Sequence, residues 1–223
     1  MSRPVVSFTT VRYRRGGGLL GPLHIARHRI ALDRTPGLHF FKLLGTGKGI
    51  GFSAVPDLTT WAVLGVWDSA AAWERFREGS DVMRRYERHA SIVRHLLLAP
   101  LSSRGRWDGR SPFSPASDLP VPSGERVAVL TRATIRASRL RAFWKAVPGV
   151  DAELRGNADL LESVGFGEAP WIRQGTLSVW RDAEAFTRFA YRSPRHLEAM
   201  RRTRAEGWYA EELFARFRVL EES

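Results

Sequence analysis

The chain has 223 residues, of which 43% are hydrophobic and eight are Trp, and this composition predicts a packed globular protein and excludes a disordered one. It has no cysteine, which excludes disulfides and thiolate metal sites, and no apolar stretch long enough for a membrane span or a signal peptide, so we expect a cytoplasmic protein. The net charge of +12 comes almost entirely from arginines interleaved with acids, without a nucleic-acid-binding motif, so we expect no nucleic acid partner.

Apolar residues along the first half of the chain follow strand spacing in some segments and helical spacing in others. The strand spacings predict strands at 5–14, 38–44 and 59–67, with a short one at 100–106. The helical spacings predict helices at 19–32, 68–76 and 80–97. Taken in order, these elements follow the βαββαβ plan of ferredoxin-like folds.

The second half of the chain repeats this order. Its predicted strands are 126–135, 174–180 and 214–220, and its predicted helices are 138–147, 182–190 and 194–205, with a less regular stretch at 150–166. The segment 108–124 is rich in proline and lacks an apolar period, which is typical of a linker.

A repeated motif shows that the two halves are copies of one domain. WAVLGVWDSAAAWERF and QGTLSVWRDAEAFTRF place Trp67 and Trp180 at 113 residues' separation (180 − 67). We therefore expect an α+β fold of duplicated ferredoxin-like (βαββαβ) repeats that pair sheet to sheet as a dimeric α+β barrel within one chain. The expected domains are a first repeat at 1–107, a linker at 108–124 and a second repeat at 125–223.

The two repeats differ at one position that bears on chemistry. His196 stands where the first repeat has Met83 (196 − 83 = 113), and Ser193 as N-cap would place it in the first turn of a helix. Met200 lies one turn further along the same face. A helix N-terminus favours a neutral imidazole that can bind a metal, and no second ligand stands at chelating spacing, so a single histidine suits a haem. The alternative is a surface or hydrogen-bonded core histidine.

Several longer motifs resemble one known family. They are RTPGLHFFKLLGTG at 34–47, the pair Gly51-Phe52, WAVLGVW at 61–67 and RAEGWYAEELFARF at 204–217. Together they resemble the spheroidene monooxygenase family of carotenoid biosynthesis, and the likeness spans nearly the whole chain.

The resemblance implies a haem-dependent oxygenase of the dimeric α+β barrel superfamily, in which a methylene becomes a ketone. It implies haem b with iron held by His196, because related haem-degrading enzymes place their histidine after an aromatic helix, as Phe186 and Phe189 precede His196 here. The implied substrate is small and apolar, such as a carotenoid. Electrons would come from a donor such as a ferredoxin, because no flavin or nicotinamide fingerprint is present.

Further residues suit a haem pocket. Lys42 would pair with a propionate or hydrogen-bond to an iron ligand, or would point to solvent at a strand edge. Arg216, between aromatic residues, would need a partner such as a propionate. Trp208 belongs to the same aromatic cluster, which is either core or a substrate cage, and Met200 would lie beside the cofactor. Lys42, His39 and Arg34 are the candidates for a distal acid or base.

Two other functions stay open at this point. One is a haem enzyme of different chemistry on the same barrel, a dehydratase or a peroxidase. The other is a non-catalytic barrel that binds an apolar ligand. A monomer and a weak homodimer are both open, as is a peripheral contact with acidic lipid.

Overall fold

The computed structural model describes residues 3–14, 21–113 and 124–223. Residues 114–123 of the predicted linker and residues 19–20 of the first predicted helix lie outside the described residues. The strands are β1 Val5–Tyr13, β2 Leu38–Gly47, β3 Pro56–Trp67, β4 Ala90–Gly105, β5 Val127–Ile135, β6 Leu160–Ala169, β7 Arg173–Trp180 and β8 Tyr209–Glu222. The helices are α1 Gly21–Asp33, α2 Ala70–Gly79, α3 Asp81–His89, α4 Leu140–Arg155, α5 Ala183–Arg192 and α6 Pro194–Glu206, and a 3-10 turn at Ala137–Arg139 precedes α4. Over the described ranges, none of the helices is both long and apolar enough to cross a bilayer.

The chain divides into two compact units. The first unit contains Met1–Thr46, Asp57–Pro100 and Val219–Ser223. The second unit contains Gly47–Pro56 and Leu101–Arg218.

Each unit has the strand order of a ferredoxin-like sheet. In the first unit the order is β4-β1-β3-β2, and β1 pairs antiparallel with both β3 and β4. In the second unit the order is β8-β5-β7-β6, and every neighbouring pair is antiparallel. The predicted fold class, duplicated ferredoxin-like repeats of the dimeric α+β barrel type, is confirmed.

The helices of the first unit cover one face of its sheet and form one continuous apolar core. Trp67 lies at its centre, with ring centroids 5.5 Å from Trp73 and 4.9 Å from Phe76 of α2. Met83 of α3 is buried in the same core, and Ser80 caps α3 by accepting a hydrogen bond from the Met83 backbone N–H (3.1 Å).

Three element predictions differ from the structure. The helix predicted at 80–97 ends at His89, and β4 begins at Ala90, because residues such as Leu96 pair with Phe8 of β1. The stretch predicted as less regular at 150–166 contains the end of α4 and the start of β6. The helix predicted at 138–147 continues through Pro148, because its later turns pack against α6.

Candidate functional site

His196 lies in the first turn of α6 with its imidazole half-buried. Its Nδ1 lies 3.2 Å from the carbonyl oxygen of Ala190, and its ring centroid lies 5.0 Å from that of Phe189. A carbonyl can only accept, so Nδ1 carries the proton and donates it, and Nε2 keeps its lone pair. Among the described residues, none forms a hydrogen bond with Nε2. Burial lowers the pKa of His196, against opposing contributions from Ala190 and Glu153, so the ring is neutral near pH 7.

The position of His196 is fixed by α4 rather than by its own N-cap. Ser193 occupies the N-cap position, but its side chain makes no capping hydrogen bond, contrary to the sequence expectation. The carboxylate of Glu153 accepts instead from the backbone N–H groups of Arg195 (2.9 Å) and His196 (3.2 Å). The helices approach closely at Gly149, where a Cβ would lie 3.4 Å from the side chain of Arg195.

The helix-facing side of the sheet carries more polar side chains in the second unit than in the first unit. Thr176 and Gln174 of β7 occupy the positions of Val63 and Trp61 (176 − 63 = 113; 174 − 61 = 113). In the first unit, Val63 and Trp61 pack against the continuous core. In the second unit, Thr176 lies opposite Thr131 of β5, so two hydroxyl-bearing residues form the centre of the face.

The core of the second unit is correspondingly divided. One cluster surrounds Trp180 and Phe189, and a separate one surrounds Phe143 and Trp208. Between them Thr131 is only half-buried, although it lies on a central strand, whereas its counterpart Thr9 (131 − 9 = 122) is 2% exposed.

The helices over this part of the sheet also leave their inner side chains accessible. Helix α6 has no buried residue, and Met200 is half-buried like His196. Helix α4 buries only Phe143. We name the four half-buried side chains Thr131 and Thr176 of the sheet and His196 and Met200 of α6 the second-unit cleft.

A glycine-rich loop packs against β6 and α4 of the second unit. Ser163 donates a hydrogen bond from its Oγ to the carbonyl of Ile50 (2.5 Å). Gly165 lies so close to the carbonyl oxygen of Gly51 that a Cβ there would clash with it. The loop also contributes Phe52, whose ring lies 5.3 Å from that of Phe143.

Two other residues of the second unit, Trp208 and Arg216, were predicted to line a haem pocket and do not belong to the second-unit cleft. Trp208 is fully buried, donates from Nε1 to Glu206 (2.8 Å) and belongs to the core. Arg216 is exposed and donates from Nε to Ser102 (3.1 Å). The expectation that Arg216 is enclosed by aromatic residues is wrong, because strand alternation places Phe217 on the opposite face of β8.

The other predicted residues belong to the first unit. Lys42 is half-buried, with its ammonium 5.4 Å from the centre of the Phe40 ring. His39 is exposed, and its Nε2 forms a hydrogen bond with the Asp68 carboxylate. Arg34 is also exposed. The structure therefore brings His196 and Met200 together and places Lys42, His39 and Arg34 in the other unit.

Sequence reasoning missed Glu153, because its contact with α6 spans 43 residues and no local pattern announces it. It also missed Arg132, which is almost fully buried on β5 and pairs with Glu211 and with Glu168 (3.2 Å). Glu211 in turn accepts from the backbone N–H of Gly109 (2.8 Å). This buried ion network fixes the chain around residue 109 to the sheet of the second unit.

Known proteins were compared with the chain and its structure. No family model matches the chain. The spheroidene monooxygenase of Rhodobacter capsulatus is 37% identical over 192 residues, which is 86% of this chain and 80% of that protein. The spheroidene monooxygenase of Rubrivivax gelatinosus is 36% identical over 183 residues, 82% of this chain and 69% of that protein.

Among solved structures, an aldoxime dehydratase matches with a TM-score of 0.65 at 14% identity, over 97% of this chain and 81% of that one. At that identity the likeness shows the fold alone. The identities to the Rhodobacter and Rubrivivax proteins confirm the resemblance seen in the motifs, and the chain belongs to the spheroidene monooxygenase family, whose members are oxidoreductases of the monooxygenase class.

Proposed function

We propose that the chain is a haem-dependent monooxygenase that oxidises a methylene group of a carotenoid-like polyene first to a hydroxyl and then to a ketone. The observation that carries this proposal is the half-buried, neutral His196, whose Nε2 lone pair has no hydrogen-bond partner among the described residues. The substrate class follows from the relatives, which are named spheroidene monooxygenase.

The residues of the second-unit cleft fit a haem better than a bare metal ion. Within residues 3–14, 21–113 and 124–223 there is no group of three or more His, Cys, Asp or Glu side chains that could hold an ion. A haem needs only one axial ligand from the protein. Thr131 is half-buried, whereas its counterpart Thr9 in the first unit is 2% exposed, so the helices of the second unit cover this part of their sheet less completely. His196 would hold the iron, and Met200 would lie beside it.

When bound, haem would supply the activation of oxygen, with electrons from an external donor such as a ferredoxin. The chain's own residues would set the conditions for that chemistry. The Ala190 carbonyl fixes the tautomer of His196 and makes Nε2 more basic by accepting the Nδ1 proton. Glu153 holds the first turn of α6 in place, which orients the ring.

Each round of oxidation would consume one oxygen molecule, two electrons and two protons. The first round inserts one oxygen atom into a C–H bond and releases the other as water. The second round gives a gem-diol that loses water to form the ketone. The apolar parts of the cleft would exclude bulk water from the methylene, and the protein would supply orientation rather than a covalent intermediate.

The test is turnover by the haem-reconstituted protein with spheroidene, a ferredoxin, its reductase and isotopically labelled oxygen, followed by mass spectrometry of the products. The proposal predicts a hydroxylated and then a ketone product that carry the label, with turnover lost in His196→Ala and retained in His89→Ala. His89 is an exposed residue of the first unit. Unlabelled products, or equal turnover by His196→Ala, would exclude this mechanism, and water loss from an aldoxime without oxygen would favour a dehydratase.

A further inference from the structure

The turn between β6 and β7 exposes large apolar side chains to water. Trp171 is 55% exposed and Ile172 is 40% exposed at this turn. Val55 of the neighbouring loop is 54% exposed. We name these three residues the hairpin tip. All of them belong to the second unit.

The hairpin tip is held in its exposed position rather than frayed. Trp171 donates from Nε1 to the carbonyl of Ala54 (3.1 Å), and its own carbonyl accepts from Nε1 of Trp144 (3.3 Å). Trp171 also adopts a φ of 62°, in the left-handed region that disfavours a bulky side chain. Local strain combined with exposure of a large aromatic residue indicates a contact surface rather than a folding requirement.

The segments around the hairpin tip are uniformly basic. The backbone N–H of Lys48 donates to the carbonyl of Val55 (2.9 Å), and the N–H of Ile135 donates to the carbonyl of Ile172 (2.8 Å), so the segments that contain them adjoin the tip. The segments 48–55, 135–145 and 169–173 contain no carboxylate and six cations, which are Lys48, Arg136, Arg139, Arg141, Lys145 and Arg173.

These cations are available to an outside anion. All six are exposed. Arg173 lies near Asp108 (3.3 Å), and Arg139 lies near enough to Glu206 to contribute to the lowering of its pKa. Lys48, Arg136, Arg141 and Lys145 form no ion pair with a described carboxylate. The helices elsewhere interleave acids with their arginines, as in the Arg84–Asp81 and Arg201–Glu198 pairs. The basic excess at this end of the second unit is therefore local and not only a consequence of the net charge.

We propose that the hairpin tip and its ring of cations dock on a bilayer surface that carries anionic lipid headgroups. Tryptophan favours the interface between headgroups and acyl chains, and the transfer of isoleucine and valine side chains from water to that interface lowers the free energy of binding. Each cation near such a surface contributes about a fivefold gain in binding. Lipid binding requires neither haem nor substrate, so this inference stands apart from the proposed function.

The test is co-sedimentation of the protein with vesicles of phosphatidylcholine alone and with vesicles that also contain phosphatidylglycerol. We expect binding to the anionic vesicles that weakens as salt rises, and little binding to neutral ones. Trp171→Gly suits the left-handed backbone and removes the aromatic side chain. We expect this variant to bind anionic vesicles at least about fivefold more weakly than the parent. The matched control is Tyr191→Ala, which removes a 69% exposed aromatic residue of the same unit and should bind as the parent does.

A second pair of variants distinguishes the effect of the cations near the hairpin tip from the effect of the net charge of the protein. Arg139→Glu with Arg141→Glu should abolish most binding, whereas Arg84→Glu with Arg88→Glu in α3 makes the same change in net charge and should weaken it far less. Thermal melting of each variant shows whether it is folded. Equal losses in the two double variants, or equal binding to neutral and anionic vesicles, would overturn the proposal.

Discussion

At the residue scale, one backbone carbonyl determines what His196 can do. The Ala190 carbonyl accepts a hydrogen bond from Nδ1–H, and burial keeps the ring neutral, so Nε2 keeps a lone pair that could bind a metal. The sequence located this histidine by comparison with Met83 in the other repeat. It could not supply the hydrogen bond or Glu153, because both depend on how α6 packs against α5 and α4.

The clearest pH dependence of stability belongs to another histidine, His95 of the first unit. Its Nδ1 lies 2.9 Å from the Thr9 hydroxyl, and its ring contacts Trp73 (5.4 Å). Burial lowers the pKa of His95 below its usual value, with a further lowering by Arg77 and an opposing effect of Glu74. The unfolded chain therefore binds a proton more readily than the native state, and stability is lost as the pH falls through about 6.5.

We predict that His95→Gln, which can still hydrogen-bond to Thr9, loses less unfolding free energy than the parent between about pH 7.5 and about pH 5. Urea unfolding at both pH values measures the difference. His89→Gln changes an exposed histidine and should retain the parent's pH dependence. The same slope in the parent and in His95→Gln would contradict this assignment.

At the element scale, the two repeats cap equivalent helices by different means. Ser80 accepts from the Met83 N–H at the start of α3, whereas Ser193 makes no capping bond because Glu153 serves α6. We predict that Ser80→Ala costs about 1 kcal/mol of unfolding free energy and that Ser193→Ala costs close to nothing. Denaturant unfolding of both variants checks this, and equal costs would show that the capping roles are not divided in this way.

The glycine-rich loop and β6 depend on close backbone contact. A Cβ at Gly165 would clash with the carbonyl oxygen of Gly51, so Gly165→Ala must move the loop or the strand. We predict a loss of about 1–3 kcal/mol, the usual range for overpacking, measured by denaturant unfolding. Gly156→Ala is the control, because its Cβ would meet no atom closer than 3.7 Å. A stable Gly165→Ala with an unmoved loop would contradict the observed contact.

The predicted element boundaries were wrong where strand pairing or helix packing outweighed the local spacing of apolar residues. The apolar run around Leu96 fits a helix as well as a strand, and only its pairing with Phe8 decides for β4. The helix predicted at 138–147 ends before Pro148, yet α4 continues to Arg155, and its last turns, which contain Glu153, contact α6. The start of β4 and the end of α4 both depend on contacts with residues distant in sequence, and apolar spacing alone does not specify such contacts.

At the scale of the whole molecule, duplication explains how one chain holds both a complete core and an open cleft. The first unit fills its helix–sheet layer with residues such as Trp61 and Val63. The second unit has Gln174 and Thr176 at those positions and divides its core in two. The motif repeat predicted the duplication and the fold class from sequence. The half-buried state of Thr131 could not be predicted, because it depends on how the helices pack over β5 and β7.

The measurement that tests the central claim most directly is an absorption spectrum of the protein titrated with haem, beside His196→Ala and His89→Ala. We predict a Soret band in the parent and in His89→Ala that is lost or shifted in His196→Ala, because in the proposed function His196 would supply the axial nitrogen. A parent that stays colourless after titration, or a Soret band that is the same in His196→Ala, would contradict the assignment of His196 as the haem ligand.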